Sequence, residues 1–307
     1  MKVAVVGAGA MGCLYGAALH RGGAEVVLVD VNPEHIAAIN EHGLELDTRA
    51  STERLPLPAR RPDELTEPVE LLVLFTKTFH TNTALAGVGA AIGPDTHVLT
   101  LQNGLGNDEA VARHVARDKV IAGVSTLPSD LVGPGKVRSH GEGGSQIYPA
   151  FGGDPAFAQQ VADLLTAGGL PTTLAPDIQA AIWSKVIFNA TMNTLCALTR
   201  RTPGFLGAHE ESRALIHAAV EEGVAAAHAA KVSVDGSKIH ALIQVSVTDH
   251  ADHEASMLQD VKARRRTEVD AIAGAIVRAA QEAGVATPVL ETLWRLVKLE
   301  EAKLSEG

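Results

Sequence analysis

Cysteine is scarce in this 307-residue chain: Cys13 and Cys196 are the only two, both in apolar surroundings and without Cys-x-x-Cys or Cys/His ligand spacing. Nothing in that pattern marks a metal centre, and it fits a reducing compartment. Aromatic residues make up only 3%, so the interior has to be built mainly from Val, Leu, Ile and Ala. Net positive charge is missing as well. A formal charge of -10 repels phosphate backbones, which argues against nucleic acid as a partner, and any anion site must be positive locally. No stretch approaches the roughly 18 apolar residues of a membrane span. The apolar run Val3–Val6 near the start is too short for a signal sequence and leads straight into glycines. These absences point to a cytoplasmic protein with no nucleic-acid or membrane partner.

What is present is ample apolar material, 46% of residues, in a chain whose length suits two domains. The first half alternates short apolar runs with helical patterns. Val3–Val6, Val26–Val29, Leu71–Phe75 and His97–Leu101 read as buried strands, Met11–Arg21 and Pro33–His42 as helices. Such alternation indicates a parallel sheet covered on both faces. A less regular strand pair is expected over Leu44–Leu57, with further strands over 119–126, 136–140 and 145–150. Past Pro171–Asp177 strand-like runs vanish. Helical periodicity covers Asp177–Leu198, His209–Lys231, Asp235–Val245, Val261–Gly284 and Pro288–Lys303. The expectation is a Rossmann-type α/β domain over 1–175 and an all-α domain over 176–307. A cleft between them would hold cofactor on one wall and substrate on the other.

Gly7-Ala8-Gly9-Ala10-Met11-Gly12 fits G-x-G-x-x-G, directly after a buried strand and at the opening of a helix. In that context Gly7 permits the tight turn, Gly9 lets the backbone approach a pyrophosphate, and Gly12 lets the helix pack on the sheet. Asp30 ends the second strand eighteen residues beyond Gly12, where an acid holds the ribose hydroxyls of NAD and repels the extra phosphate of NADP. Val31 adds no compensating charge and the next base along the chain is Arg49. NADH is therefore favoured over NADPH, unless Asp30 merely caps the turn into Asn32-Pro33.

Lys185, Asn189 and Asn193 recur at i, i+4 and i+8 in an otherwise apolar stretch, which puts them on one helical face. Either that face lines a substrate pocket or it is the solvent-exposed stripe of an amphipathic helix. Farther on stand Ser256-Met257-Leu258-Gln259-Asp260 and an arginine run, Arg264-Arg265-Arg266, followed by Thr267-Glu268 at an expected helix start. The run reads as a solvated face. His250 and His253 lie among acids at helical spacing, but an exposed polar turn is the simpler reading and no metal site is expected. Ser184 lacks a partnered histidine for nucleophilic chemistry.

Taken together, Gly7–Gly12, Thr76-Lys77-Thr78, Gln102-Asn103-Gly104-Leu105-Gly106, Trp183-Ser184-Lys185 with Asn189 and Asn193, Ala255–Asp270 and Gly284–Pro288 make the chain resemble the ketopantoate reductase family (2-dehydropantoate 2-reductases). The resemblance implies an NAD(P)H-dependent reduction of a 2-keto acid, ketopantoate to pantoate in pantothenate biosynthesis, by a possible homodimer. It implies Lys185 as general acid and Glu268 as the residue that holds substrate and orients the lysine. Asn103 would sit where nicotinamide meets substrate, Asn189, Asn193 and Ser256 would hydrogen-bond the substrate, and Lys77 would lie near the cofactor. Two departures stand out. Val31 occupies the place of a basic residue, and Thr199–Gly204 lacks an asparagine that often contacts substrate. The alternatives are an NAD-dependent D-2-hydroxyacid dehydrogenase of the same architecture and, in a different class, a non-catalytic dinucleotide sensor. A sensor needs the glycine loop but not Lys185 and Glu268 together.

Overall fold

The computed structural model describes residues 1–139 and 141–305. They pack as two compact units: one formed by Met1–Gln102 and Asn107–Ile178, the other by Asn103–Gly106 and the described residues from Gln179 onward. The excursion at Asn103–Gly106 departs from a division made along the chain, and the first unit runs on to Ile178.

The first unit is mostly parallel α/β. Its main sheet contains β1 (Lys2–Val6), β2 (Glu25–Val29), β5 (Ala59–Arg60), β6 (Leu71–Leu74), β7 (His97–Thr100), β8 (Val120–Ser125), β11 (Ser145–Pro149) and β12 (Thr172–Leu174). The spatial order is β12-β11-β8-β7-β6-β1-β2-β5. The strands pair in parallel except β11 with β8. The period-2 geometry of a strand sends neighbouring side chains to opposite faces. Val3 and Val5 accordingly join one core, while Ala4 and Val6 join another. Helices α1 (Ala10–Arg21), α2 (Pro33–His42), α3 (Thr81–Gly87), α4 (Asn107–Val111) and α5 (Ala156–Ala167) complete the unit. A second sheet has the order β4-β3-β10-β9, from β3 (Leu44–Thr48), β4 (Thr52–Leu55), β9 (Asp130–Gly133) and β10 (Lys136–Ser139). Sequence patterning predicted the strand pair at β3 and β4. It missed β5, β9, β12, α3, α4 and α5. The strand expected over 136–140 is seen as β10, with position 140 outside the described residues, as are 306 and 307 at the end of the expected helical domain.

The second unit is helical among its described residues: α6 (Ile178–Thr199), α7 (Pro203–Ala208), α8 (Glu210–Ala229), α9 (Gly236–Thr248), α10 (Ser256–Lys262), α11 (Ala273–Glu282) and α12 (Pro288–Ala302). The single helix expected over Val261–Gly284 does not form. α10 stops at Lys262, Arg264 takes a left-handed backbone with φ of 53°, and α11 starts only at Ala273. The intervening turn is stabilised locally, because the Val269 N–H donates to the Thr267 hydroxyl at 3.2 Å. Glu268 thus sits in an irregular turn and not at the first position of a helix.

Local chemistry fixes the element that follows β2. The Asn32 side chain accepts from the N–H groups of Glu34 and His35, and Pro33 holds the first helical position of α2. Gly43, at a φ of 77°, stops the helix. Replacing Asn32 with Ala is expected to cost about 1 kcal/mol of stability, read as a lower urea midpoint with an unchanged slope.

Candidate active site

Two groups of residues singled out by the sequence take shape, one in each unit. In the first unit, Gly7 turns the chain out of β1 with a φ of 92°, and a Cβ there would lie 2.7 Å from the Thr76 backbone nitrogen. Only glycine fits. The Gly7 and Ala8 N–H groups donate to the Val29 carbonyl at 2.8 and 3.1 Å, which ties the loop to the end of β2. A Cβ on Gly12 would stand 2.0 Å from the Gly7 oxygen, so α1 packs directly against the loop. Around Gly9 the situation is opposite: a Cβ would meet nothing within 4 Å, and the residue caps α1 without a side chain. Open space in front of a helix N-terminus is what a pyrophosphate needs, since the first-turn N–H groups and the helix dipole both favour an anion. Ala8, Ala10 and Met11 contribute backbone to the same loop. The residues present fit a dinucleotide.

Asp30 does cap the turn. Its Oδ1 accepts the N–H groups of Val31 and Asn32 at 2.8 and 3.0 Å. Its own N–H donates to the Arg60 carbonyl at 3.1 Å, because β5 lies beside β2. The fold therefore brings Arg60 and Arg61 to the end of β2, where they line a depression with Pro33 and Ile36 of α2. Proximity along the chain had pointed to Arg49 instead, which pairs with Glu142 at 3.6 Å. Lys77, half-buried, follows the Thr76 that packs on Gly7. Gln102 stabilises this edge by donating to the Thr76 carbonyl at 2.7 Å and to the Thr81 hydroxyl at 3.0 Å.

Sequence reasoning overlooked His35. It is buried, its Nε2 lies 2.8 Å from the Ala8 carbonyl, and its Nδ1 accepts the Gly135 N–H at 3.0 Å. That pattern assigns the proton to Nε2, so the ring ties the glycine loop to Gly135. The Cys13 thiol also donates to the Ala8 carbonyl, at 3.0 Å. Burial, aided by the charge of Asp30, pushes that thiol well above its ordinary range, so Cys13 is inert packing and not a reactive thiol. In the sequence, His35 looked like one more helix residue; only the 100-residue reach to Gly135 reveals its task.

In the second unit α6 carries Lys185, Asn189 and Asn193. Asn189 and Asn193 are buried and Lys185 is half-buried, so this is not a solvent-exposed stripe. The Asn193 amide donates to the Ser256 hydroxyl, at the exposed start of α10, over 3.4 Å. Glu268 is buried with 8% exposure. Burial pulls the Lys185 amine down to about 8, while the charge of Glu268 pulls it back up. Asn103 belongs to the same unit. The next residues fasten to the Glu268 turn: the Leu105 N–H donates to the Ala271 carbonyl at 2.9 Å, and a Cβ on Gly104 would stand 2.5 Å from that oxygen. Lysine, carboxylate, three amides and a hydroxyl are thus carried by α6, α10, the 263–272 turn and the 103–106 segment. A lysine poised near neutrality can give a proton to an oxygen that gains negative charge, and the amides and hydroxyl can hold polar groups beside it.

Other candidates drop out. The Ser184 hydroxyl donates to the Ala180 carbonyl at 2.7 Å, an ordinary helix back-bond. Arg265 pairs with Asp260 at 3.1 Å and Arg266 with Asp270 at 3.6 Å. Among the described residues, metal-ligand atoms converge at His217, Glu221 and His240, not at His250 and His253. That group lies on α8 and α9, where His240 Nε2 and Glu221 Oε1 are in hydrogen-bond contact at 3.3 Å. No helix among the described residues is long and apolar enough to cross a membrane.

The Lys185–Glu268 coupling can be read without any turnover. Acetylation of Lys185 by an amine-reactive reagent, followed by mass spectrometry across pH, is expected to show a midpoint near pH 8. In Glu268→Gln the midpoint moves to lower pH, because the raising charge is gone. An unshifted midpoint in that variant contradicts the coupling.

Comparison with known proteins matches both halves of the chain. Residues 3–151 match the model for "Ketopantoate reductase PanE/ApbA" and residues 177–301 the model for its C-terminal part. A 2-dehydropantoate 2-reductase of Streptococcus pyogenes is 33% identical over 306 residues, 99% of each chain. One from Halobacterium salinarum is 35% identical over 302 residues, 98% of this chain and 99% of its own. Among solved structures, that of a D-mandelate dehydrogenase with NADH and anilino(oxo)acetate matches with a TM-score of 0.95 at 33% identity, covering 99% of this chain and all of the other. A 2-dehydropantoate 2-reductase from Geobacter metallireducens matches at 0.91 and 29% identity, over 97% of this chain and 99% of its own. With both parts of the family model and near-complete coverage of its relatives, the chain belongs to the ketopantoate reductase family.

Proposed function

We propose that this protein is an NAD(P)H-dependent oxidoreductase that reduces the ketone of 2-dehydropantoate to give pantoate. The observation that carries the reading is the Lys185 amine, held near pH 8 by burial and opposed by Glu268, on one helical face with two buried amides. The reduced nicotinamide, when bound, supplies the hydride for the keto carbon. Lys185 donates its proton from Nζ to the keto oxygen, and its charge stabilises that oxygen more in the transition state than in the ground state. A free lysine near pH 10.4 is a weak acid for this task; desolvation brings Lys185 closer to the working range. Glu268 orients the amine and keeps it protonated, the sense in which it acts on the Lys185 pKa. Asn103, Asn189, Asn193 and Ser256 hydrogen-bond the substrate's hydroxyl and carboxylate groups.

On the cofactor side, Gly7–Gly12 receive the pyrophosphate and Lys77 stands near the cofactor. Asp30 keeps Oδ2 for the ribose hydroxyls, since both turn bonds go to Oδ1. NADH is therefore the preferred donor in this reading. Arg60 and Arg61 are the groups that would meet an added phosphate. The protein acts in the cytoplasm as a homodimer, without nucleic acid or membrane.

The TM-score of 0.95 to a D-mandelate dehydrogenase favours a second reading, an NAD-dependent D-2-hydroxyacid dehydrogenase with the same proton donor. Initial rates with 2-dehydropantoate and with the 2-keto acid of mandelate, each with NADH and NADPH, separate the two. A higher kcat/KM for 2-dehydropantoate supports the first and the reverse order supports the second. Cofactor binding without turnover of any keto acid points to a sensor. NADH is expected to outperform NADPH, and Asp30→Ala to narrow the gap; a strong NADPH preference contradicts the role given to Asp30. Lys185→Ala is expected to lower kcat by roughly 10²–10⁴-fold with little change in NADH affinity. Near-normal turnover removes lysine from its role.

A further inference from the structure

The turn that carries Glu268 keeps only a few backbone bonds of its own, from the Ala271 and Ile272 N–H groups to the Glu268 carbonyl at 3.0 and 3.1 Å, and side chains of α11 and α12 tether it further. Glu301, on α12, has a side chain only 10% exposed. Its Oε1 accepts both the backbone N–H and the hydroxyl of Thr267, at 2.8 and 2.7 Å. Its Oε2 accepts from the Lys298 ammonium at 2.6 Å. Lys298 also donates to Asp270 at 2.9 Å, and the Trp294 indole N–H donates to the other oxygen of Asp270 at 2.9 Å. Arg278 donates to the Asp270 carbonyl at 2.7 Å. Residues on both sides of Glu268 are thereby fixed to α11 and α12. The next carbonyl, that of Ala271, takes the Leu105 N–H, so the segment bearing Asn103 rests on the same turn.

A carboxylate buried this far costs several kcal/mol unless its oxygens are satisfied. Charge-assisted bonds to Thr267 and Lys298 satisfy it and make the junction stiff. Burial alone would raise the Asp270 carboxyl, yet the bonds from Lys298 and Trp294 hold it below its usual range. Although burial opposes it, the bonds to Glu301 and Asp270 hold the Lys298 amine above its ordinary range. A surface staple would not need to end one residue from a buried acid that acts on the catalytic amine.

We propose that Glu301, acting through Thr267, is a positioning residue: it fixes the Glu268 carboxylate towards Lys185 and thereby sets the pH range over which the amine can donate its proton. This rests on Lys185 as the proton donor. Neither Glu301 nor Thr267 touches substrate or cofactor in this proposal. Loss of the tether lets the turn relax, the raising charge of Glu268 weakens at Nζ, and the amine deprotonates at lower pH.

The test is the pH profile of kcat/KM for keto acid reduction in Glu301→Ala, Thr267→Val and Thr267→Ser, beside Lys185→Ala and Glu268→Gln. In Glu301→Ala the alkaline limb is expected to move to lower pH by half a unit or more, on the order of the sensitivity of a few-ångström change in charge separation. The shift in Thr267→Val is smaller and in the same direction, and Thr267→Ser recovers the wild-type limb. Added to Glu268→Gln, the Glu301 substitution moves the limb no further, since it acts through that carboxylate. If Lys185→Ala abolishes turnover while Glu301→Ala and Thr267→Val keep the wild-type limb, the positioning role is wrong and the proton donor stands. If Lys185→Ala turns over normally, it is the proton donor that fails. Should Glu301→Ala not fold, Thr267→Val against Thr267→Ser decides alone: a limb that the two share with wild type overturns the proposal.

Discussion

An ammonium group withdrawn from water tends to lose its proton, and a carboxylate beside it restores the tendency to keep it. The balance between those two effects at Lys185 is what the second unit is built to hold. It requires a helix buried around most of its circumference, and α6 supplies one: Val186, Ile187, Ala190 and Cys196 are all at or below 2% exposure. It also requires the opposing charge to stay put, although Glu268 lies in irregular backbone. The bonds from α12 to Thr267 and Asp270 supply that constraint. Removing Glu268 leaves a desolvated amine with less reason to be charged; removing burial leaves an ordinary lysine that holds its proton too tightly.

The first unit solves a different problem with backbone alone. A pyrophosphate needs N–H groups and room, and side chains would fill the room. Gly7 and Gly12 let β1, the loop and α1 approach within distances that any Cβ would forbid, while the space around Gly9 stays open. His35 and Cys13 both hold the Ala8 carbonyl. The positive end of the α1 dipole at this loop is a local attraction for an anion in a chain of net charge -10.

Much of this was legible from periodicity. Short apolar runs marked β1, β2, β6 and β7, because a strand covered on both faces must be apolar throughout. Asn32, Pro33 and Gly43 marked α2 to the residue. The i, i+4, i+8 spacing of Lys185, Asn189 and Asn193 put them on one face, but only packing could show that the face is buried. Failures came where long-range contacts overrule local pattern. The periodicity from Val261 to Gly284 reads as one helix, yet Arg264 and the Thr267 turn break it, because α12 offers better partners to Thr267 and Asp270 than a continuous helix would. β9 is four residues with mostly exposed side chains and β12 is only Thr172–Leu174, so neither offers the buried apolar run that marked β6 and β7. Arg60 reaches the end of β2 through strand pairing, and His35 reaches Gly135 in the turn between β9 and β10; neither separation leaves a trace in local sequence.

The most direct measurement is the alkaline limb of keto acid reduction by the wild-type protein at saturating reduced cofactor. A proton donor held near pH 8 requires kcat/KM to be level below that value and to fall tenfold per unit above it. A rate that stays constant to pH 10, or that rises across this range, contradicts a desolvated Lys185 as the source of the proton.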